Sequence, residues 1–238
     1  MAKIVITAHS GCENTPLNSL ESVLKGIEVG SDAVEIDIRS SHDKKPVLSH
    51  DPFMIVDGSN HTIGEHTYSS LQSDLTTAQI SLPTIEEVLE IIATSSTILN
   101  IDMKDITSID YVYKAVKQFN LLDQVVISGC DFLWAQEVTS AYRDVRVLLN
   151  SYYDESVNED NYPTYAEILE QQAHALGACA LNIDYRMCHE ILVDYARKRF
   201  MPISVWTVDE VDVMKQMIDL GVDGITTYHP SLLRTLLM

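Results

Sequence analysis

A chain of 238 residues, 46% hydrophobic and 21% charged, has the material for a large packed core, which excludes a disordered or fibrous protein. Its formal charge of −19 repels nucleic-acid phosphates and anionic membrane surfaces, so neither is expected as a partner. An anionic substrate would then need a local positive centre, and a bound divalent cation supplies one inside an acidic mouth.

In chain order, residues 1–3 lead straight into a strand-like run, with no long apolar segment and small-residue cleavage site. No stretch approaches the length of a membrane span. Cys12, Cys130, Cys179 and Cys188 are scattered, without metal-type pairing. Free thiols in a reducing cytoplasm are the expectation, with no membrane insertion.

Nine β-branched runs alternate with helical patterns, at residues 4–9, 33–39, 46–51, 98–104, 125–131, 145–150, 180–186, 203–208 and 224–227. Such alternation is the pattern of βα units around a parallel sheet. The expected fold is a single (β/α)8 barrel domain over 1–238, which has room for eight parallel strands. The connection 40–45 is too short for a parallel crossover, so run 46–51 must return antiparallel as a hairpin arm over the mouth.

The first helix is expected to start near residue 18, capped by Asn18 or Ser19, with Glu21 three residues past Asn18 as in a capping box and Gly30 ending it. Residues 51–83 are rich in Asp, Gly, Ser, Asn, His and Thr and show helical periodicity only around 68–75. A small insertion covering the substrate is the expectation there. Pro83 and Thr84 then open a helix with acid in its first turn. The tetrapeptide 99–102, Leu-Asn-Ile-Asp, is repeated at 181–184, too short an echo to mark a repeat.

Reactive side chains gather at the carboxyl ends of the strands, the face on which this fold builds its sites. His9 ends the first run, Glu35 and Asp37 stand two apart on the second and so share a face, His50 and Asp51 end the arm, and Asp102 and Lys104 end the next run. Glu35, Asp37 and Asp102 together suit a hard cation such as Mg²⁺ or Ca²⁺. The bland alternative has these acids in solvent or paired with Arg39 and Lys104. His9 and His50 titrate near neutrality and suit proton transfer to and from the oxygens of a diester. Lys104 either binds a phosphoryl oxygen or neutralises Asp102. Asp184 also stands at a strand end, and its part in the site is open.

The runs at 8–9, 30–38, 46–51, 99–104, 205–208 and 220–227, taken in order over the chain, resemble the glycerophosphodiester phosphodiesterase family. The resemblance implies a metal-dependent TIM barrel that splits a small glycerophosphodiester into an alcohol and glycerol 3-phosphate. By motif matching it puts the catalytic histidines on His9 and His50. The metal, one divalent cation (Mg²⁺ or Ca²⁺, with Mn²⁺ also suitable), falls to Glu35, Asp37 and Asp102. The phosphate-contacting lysine falls on Lys104 and the aromatic residue at the glycerol end on Trp206.

The departures are specific. The family's His-Arg pair is His9-Ser10 here, so Ser10 stands in the substrate-binding set where an arginine is expected. Counting back from Gly30 sets Asn18-Ser19 on the family's Asn-Thr and Leu17 on its glutamate, which makes Glu13-Asn14-Thr15 a decoy. The terminal Thr-Asp-x-Pro has become Thr227-Tyr228-His229-Pro230. These changes fit a subgroup with another head group, a related phosphodiesterase that forms a cyclic phosphate, or a barrel that binds without turnover. Homo-oligomerisation is left open.

Overall fold

The computed structural model describes residues 4–56, 58–77 and 80–238. In chain order the elements are β1 (Val5–Ala8), α1 (Leu20–Glu28), β2 (Ala33–Ser40), β3 (Pro46–Leu48), β4 (Phe53–Val56), β5 (Ser59–Thr62), α2 (Tyr68–Thr77), α3 (Ile85–Ile92) and β6 (Ile98–Met103). They continue with α4 (Ile109–Gln118), β7 (Val125–Cys130), α5 (Phe132–Ala141), β8 (Val147–Ser151), α6 (Tyr162–Leu176), β9 (Ala180–Asp184), α7 (Glu190–Arg197), β10 (Ile203–Trp206), α8 (Val211–Leu220), β11 (Gly224–Thr227) and α9 (Pro230–Leu236).

Eight of these strands form a closed parallel barrel in the order β1-β2-β6-β7-β8-β9-β10-β11, with β11 returning to β1. The ninth, β3, lies antiparallel on β2 with Ile38 opposite Leu48, the arm that the short 40–45 connection demands. Each barrel strand alternates. Leu99, Ile101 and Met103 of β6 and Leu181 and Ile183 of β9 are buried in one core with the helix residues Ile85, Val88, Leu89 and Ile92 of α3. Asn100, Asp102, Asn182 and Asp184, one residue out of phase, occupy the opposite face of their strands, the barrel interior.

Local signals set the helix starts. Thr84 and Glu87 form the reciprocal capping box of α3, a device that contributes about 1 kcal/mol. The first helix is capped by Ser19, whose hydroxyl accepts from the Ser22 N–H. The alternative of a capping box from Asn18 to Glu21 does not form, because Asn18 stands at φ 50 with its amide turned into the barrel.

The insertion holds more structure than its composition announces. Beta strands β4 and β5 pair as a hairpin, and α2 covers the periodic stretch. Val56, Ile63, Leu71, Leu75 and Leu82 pack with Val47 of the arm in a small core of their own. That core draws the insertion against the outer side of the arm. None of its described residues from 52 to 83 lines the cavity over the barrel mouth, which corrects the expectation of a cover.

Candidate active site

The carboxyl ends of the strands surround a cavity of about 440 Å³. His9, Glu35, Asp37, His50, Asp102, Lys104 and Trp206 all line it. The sequence thus disperses over some two hundred positions what the barrel gathers on one rim.

Strand pairing brings the acids together. Asp37 lies in register with Asp102 across the β2–β6 ladder, and Glu35 stands one pleat below on the face of Asp37. Ligand oxygens of Glu35, Asp37 and Asp102 all lie within 4.8 Å of one another. Burial, reinforced by the charges of Asp37 and Asp102, pushes the Glu35 carboxyl well above the ordinary carboxylate range. Burial raises Asp102 as well, with Lys104 only partly offsetting it. For Asp37 burial also pulls upward, but the Lys104 ammonium and the Asn18 hydrogen bond outweigh it and hold the carboxyl below its usual range.

Lys104 bridges two of the three acids, with Nζ 2.9 Å from Asp37 Oδ1 and 3.3 Å from Asp102 Oδ2. Of the two basic residues set against these acids in the bland reading, Lys104 does pair. Arg39 does not, since its guanidinium donates to the backbone carbonyls of His50 (2.7 Å) and Lys104 (3.4 Å). One ammonium cannot satisfy three carboxylates. Glu35 Oε1 and Asp102 Oδ1 are both buried without a hydrogen-bond partner, an arrangement that is costly unless something cationic fills the gap. The residues therefore fit a hard divalent cation.

A glycine makes room for Asp102. Strand β7 carries an irregularity between Ile127 and Cys130, where Gly129 has φ +76. A Cβ built there would fall 2.2 Å from Asp102 Oδ1 and 2.5 Å from the Met103 carbonyl, so only glycine lets the carboxylate stand. The Gly129 N–H is taken by Asn150 Oδ1, and its carbonyl by the Tyr152 hydroxyl.

The two imidazoles are held by their Nδ1 atoms. His9 Nδ1 is 2.8 Å from the Ser10 carbonyl, and because a carbonyl oxygen only accepts, Nδ1 carries the proton and the neutral ring keeps Nε2 free. His50 Nδ1 is 2.9 Å from Asp51 Oδ1, with the same consequence. His9 is largely buried and packs against Tyr228, with ring centroids 4.3 Å apart and the planes tilted by 43°, while His50 is 62% exposed on its arm.

Four more residues near the site have defined partners, and of these only Ser10 departs from the role that the sequence suggests. Ser10 is fully buried, its N–H donates to Glu35 Oε2 and its hydroxyl accepts from the Asn18 N–H, so its side chain braces the first loop and does not face the substrate space. Asp184 does not join the acids, because Arg186 grips both its oxygens, Nε to Oδ1 at 2.9 Å and Nη2 to Oδ2 at 2.6 Å. Glu13 turns away and accepts from the Ser231 N–H. Cys12 is buried with its thiol donating to the Ser22 carbonyl, and burial raises its pKa, as suits a structural thiol.

Two further residues, to which the sequence pattern gives no role in the site, belong to it. The Asn18 amide donates to Asp37 Oδ2 at 2.8 Å while its carbonyl accepts from the Asp37 N–H at 3.0 Å, a reciprocal clamp on a carboxylate. The count back from Gly30 was the signal available for it. Tyr228 lines the cavity beside His9, and burial, with the Glu35, Asp209 and Asp37 carboxylates, raises its pKa so that its phenol stays protonated.

Comparison with known proteins gives one consistent result. The model of the glycerophosphoryl diester phosphodiesterase family matches residues 9–232. The chain is 26% identical to a glycerophosphodiester phosphodiesterase of Caldanaerobacter subterraneus subsp. tengcongensis, over 97% of this chain and 96% of that one. Among solved structures it superposes on a glycerophosphodiester phosphodiesterase of Thermotoga maritima with a TM-score of 0.80 and 25% identity, covering 99% of each chain. An Oleispira antarctica phosphodiesterase solved with the product sn-glycerol-3-phosphate shares the fold, at a TM-score of 0.82 and 18% identity, over 98% of this chain and 96% of that one.

Proposed function

The chain belongs to the glycerophosphoryl diester phosphodiesterase family, phosphoric diester hydrolases, and from that premise we propose that it hydrolyses a glycerophosphodiester to an alcohol and glycerol 3-phosphate with one divalent cation. The observation that carries the cation is the pair of orphaned buried oxygens, Glu35 Oε1 and Asp102 Oδ1, in a three-carboxylate cluster. Glu35, Asp37 and Asp102 would hold it. An all-oxygen donor set suits Mg²⁺, Ca²⁺ or Mn²⁺. When bound, it supplies charge neutralisation for the phosphoryl oxygens.

The rest falls to the side chains. Partial burial lowers the Lys104 pKa, but the Asp102 and Asp37 carboxylates more than offset it, so the side chain stays charged and meets a phosphoryl oxygen as a point charge. His9, with Nε2 free and Nδ1 fixed on the Ser10 carbonyl, takes a proton from the water that attacks phosphorus. His50, on its exposed arm and oriented by Asp51 through Nδ1, gives a proton from Nε2 of its imidazolium form to the departing alcohol oxygen; with the two assignments exchanged, the expected pH profile is the same. Trp206, set edge-on against Tyr152 with an unpaired indole N–H, lines the glycerol end. The free thiols of Cys12, Cys130, Cys179 and Cys188 suit a reducing cytoplasm, and no helix among the described residues is long and apolar enough to cross a membrane.

The test is a panel of glycerophosphodiesters with Mg²⁺, Mn²⁺ or Ca²⁺, with and without chelator. Hydrolysis that stops on chelation, a bell-shaped pH–rate profile, and losses of about 10²-fold or more in His9→Ala and His50→Ala with folding intact are expected. Undiminished turnover in chelator or in either histidine variant would remove the corresponding role. A persistent cyclic phosphate would move the chain to an intramolecular route.

A further inference from the structure

We infer that Tyr228 is a substrate-contacting residue, whose phenol hydroxyl donates to a phosphoryl oxygen of the bound diester while its ring holds His9 in place. This rests on the phosphodiesterase reading and adds to it a residue that stands where the family pattern has an acid.

The backbone fixes the ring. Tyr228 follows the last residue of β11, two positions from Thr226, so both side chains face the cavity and both line it. Its N–H donates to Asp209 Oδ1 at 2.9 Å, and the fully buried Thr227 donates its hydroxyl to the same oxygen at 3.0 Å. Its carbonyl accepts from the Glu13 N–H at 2.8 Å. With both backbone groups pinned and the ring against His9, the phenol is pre-set rather than adaptable.

The hydroxyl is then the informative atom. The hydroxyls of the neighbouring tyrosines have partners: that of buried Tyr162 reaches Met187, and those of the less buried Tyr152 and Tyr165 reach Gly129 and Ser151. The Tyr228 hydroxyl has no hydrogen-bond partner among the described residues, although it stands in a cavity wall. The cavity also lacks an arginine among its described lining residues, and its one lysine is shared between Asp37 and Asp102. A phosphodiester presents two non-bridging oxygens that each accept strong hydrogen bonds. A neutral phenol beside the base supplies such a donor without adding a proton that would compete with His9.

Two variants separate the hydroxyl from the ring. Tyr228→Phe removes the donor and keeps the ring contact, whereas Tyr228→Leu removes both. In Mg²⁺, Tyr228→Phe is expected to lower kcat/KM for the diester by about 10-fold or more and to weaken calorimetric binding of sn-glycerol 3-phosphate to a similar degree, as for a lost hydrogen bond to a charged group. Its melting temperature and the limb of the pH–rate profile set by His9 should stay where they are in the unmodified protein. Tyr228→Leu should in addition displace that limb.

Turnover and product binding within 2-fold of the unmodified protein in Tyr228→Phe would overturn the assignment and leave the hydrolase reading standing. If the unmodified protein hydrolyses no diester yet binds sn-glycerol 3-phosphate more tightly than Tyr228→Phe does, the hydrolase reading falls and the contact stands. Failure of the unmodified protein both to hydrolyse a diester and to bind sn-glycerol 3-phosphate removes both.

Discussion

Residues 99–102 on β6 and 181–184 on β9 are both Leu-Asn-Ile-Asp, and in each case a basic residue follows two positions after the aspartate, Lys104 in one and Arg186 in the other. Both asparagines line the same cavity. The aspartates part company. Arg186 matches Asp184 with a planar fork that satisfies both oxygens, closing it as a structural ion pair. Lys104 is a single point charge divided between Asp102 and Asp37, and it leaves Asp102 Oδ1 bare beside the space that Gly129 keeps open. Two identical strand ends thus become a locked corner and an open one through the basic residue that follows each and the space that Gly129 leaves beside Asp102.

The contrast is broken most severely at Asp102 itself. Asp102→Asn should lower cation affinity and turnover by more than about 100-fold, since even residues one shell removed from a metal are worth about 10- to 100-fold. Steady-state rates across a Mg²⁺ titration read both.

Next in size is Lys104→Arg, which imports the Arg186 solution into the open corner. The fork should engage Asp102 and Asp37 and reduce cation affinity by about 10-fold or more, and calorimetric titration checks it. A variant that binds cation normally would show that the difference between the corners lies elsewhere.

Gly129→Ala attacks the space instead of the charge. Its Cβ would collide with Asp102 Oδ1 and the Met103 carbonyl in a left-handed backbone region. Destabilisation of about 1–3 kcal/mol or more is expected in urea unfolding, together with weaker cation binding.

The acids also set a pH dependence. Burial raises the pKa values of Glu35 and Asp102, so without a cation the folded state takes up protons more readily than the unfolded chain, and in chelator stability should fall as pH rises from about 4 through their raised folded pKa values. Asp37, whose pKa is lowered, acts oppositely, and its contribution is lost only as pH drops below about 4. Saturating cation should flatten the descending limb. Urea midpoints across pH with and without Mg²⁺ measure this.

Asp184→Asn, the smallest effect, should leave turnover within 2-fold. The Arg186 side chain is half exposed, so loss of the pair should lower stability by about 1 kcal/mol or less.

Much of the barrel is legible in the sequence, because β-branched runs and one connection too short to cross over leave eight parallel strands and an arm. The β4–β5 hairpin leaves no such mark, since its second strand, Ser-Asn-His-Thr, is polar throughout and carries no alternation. Strand-end carboxylates and histidines were readable for the same reason as the strands, as period and fold direction aim them at one rim. What composition and spacing do not carry is partner choice. Nothing local distinguishes Asp184 from Asp102, and whether Ser10 faces the substrate or braces Asn18 depends on a loop whose turns use positive φ at Glu13, Asn14 and Asn18. Tyr228 was visible only as a departure from a family pattern, and its packing against His9 needed the β11–β1 closure that brings opposite ends of the chain together.

The central claim is a cation held by Glu35, Asp37 and Asp102, and a crystal soaked in Mn²⁺ and measured for anomalous scattering tests it most directly. The account predicts one strong peak among the three carboxylates, with oxygens at about 2.0–2.6 Å, Lys104 displaced from at least one acid, and no peak at Asp184. An active enzyme whose soaked crystals show no peak there, with Lys104 still on both Asp37 and Asp102, would contradict it.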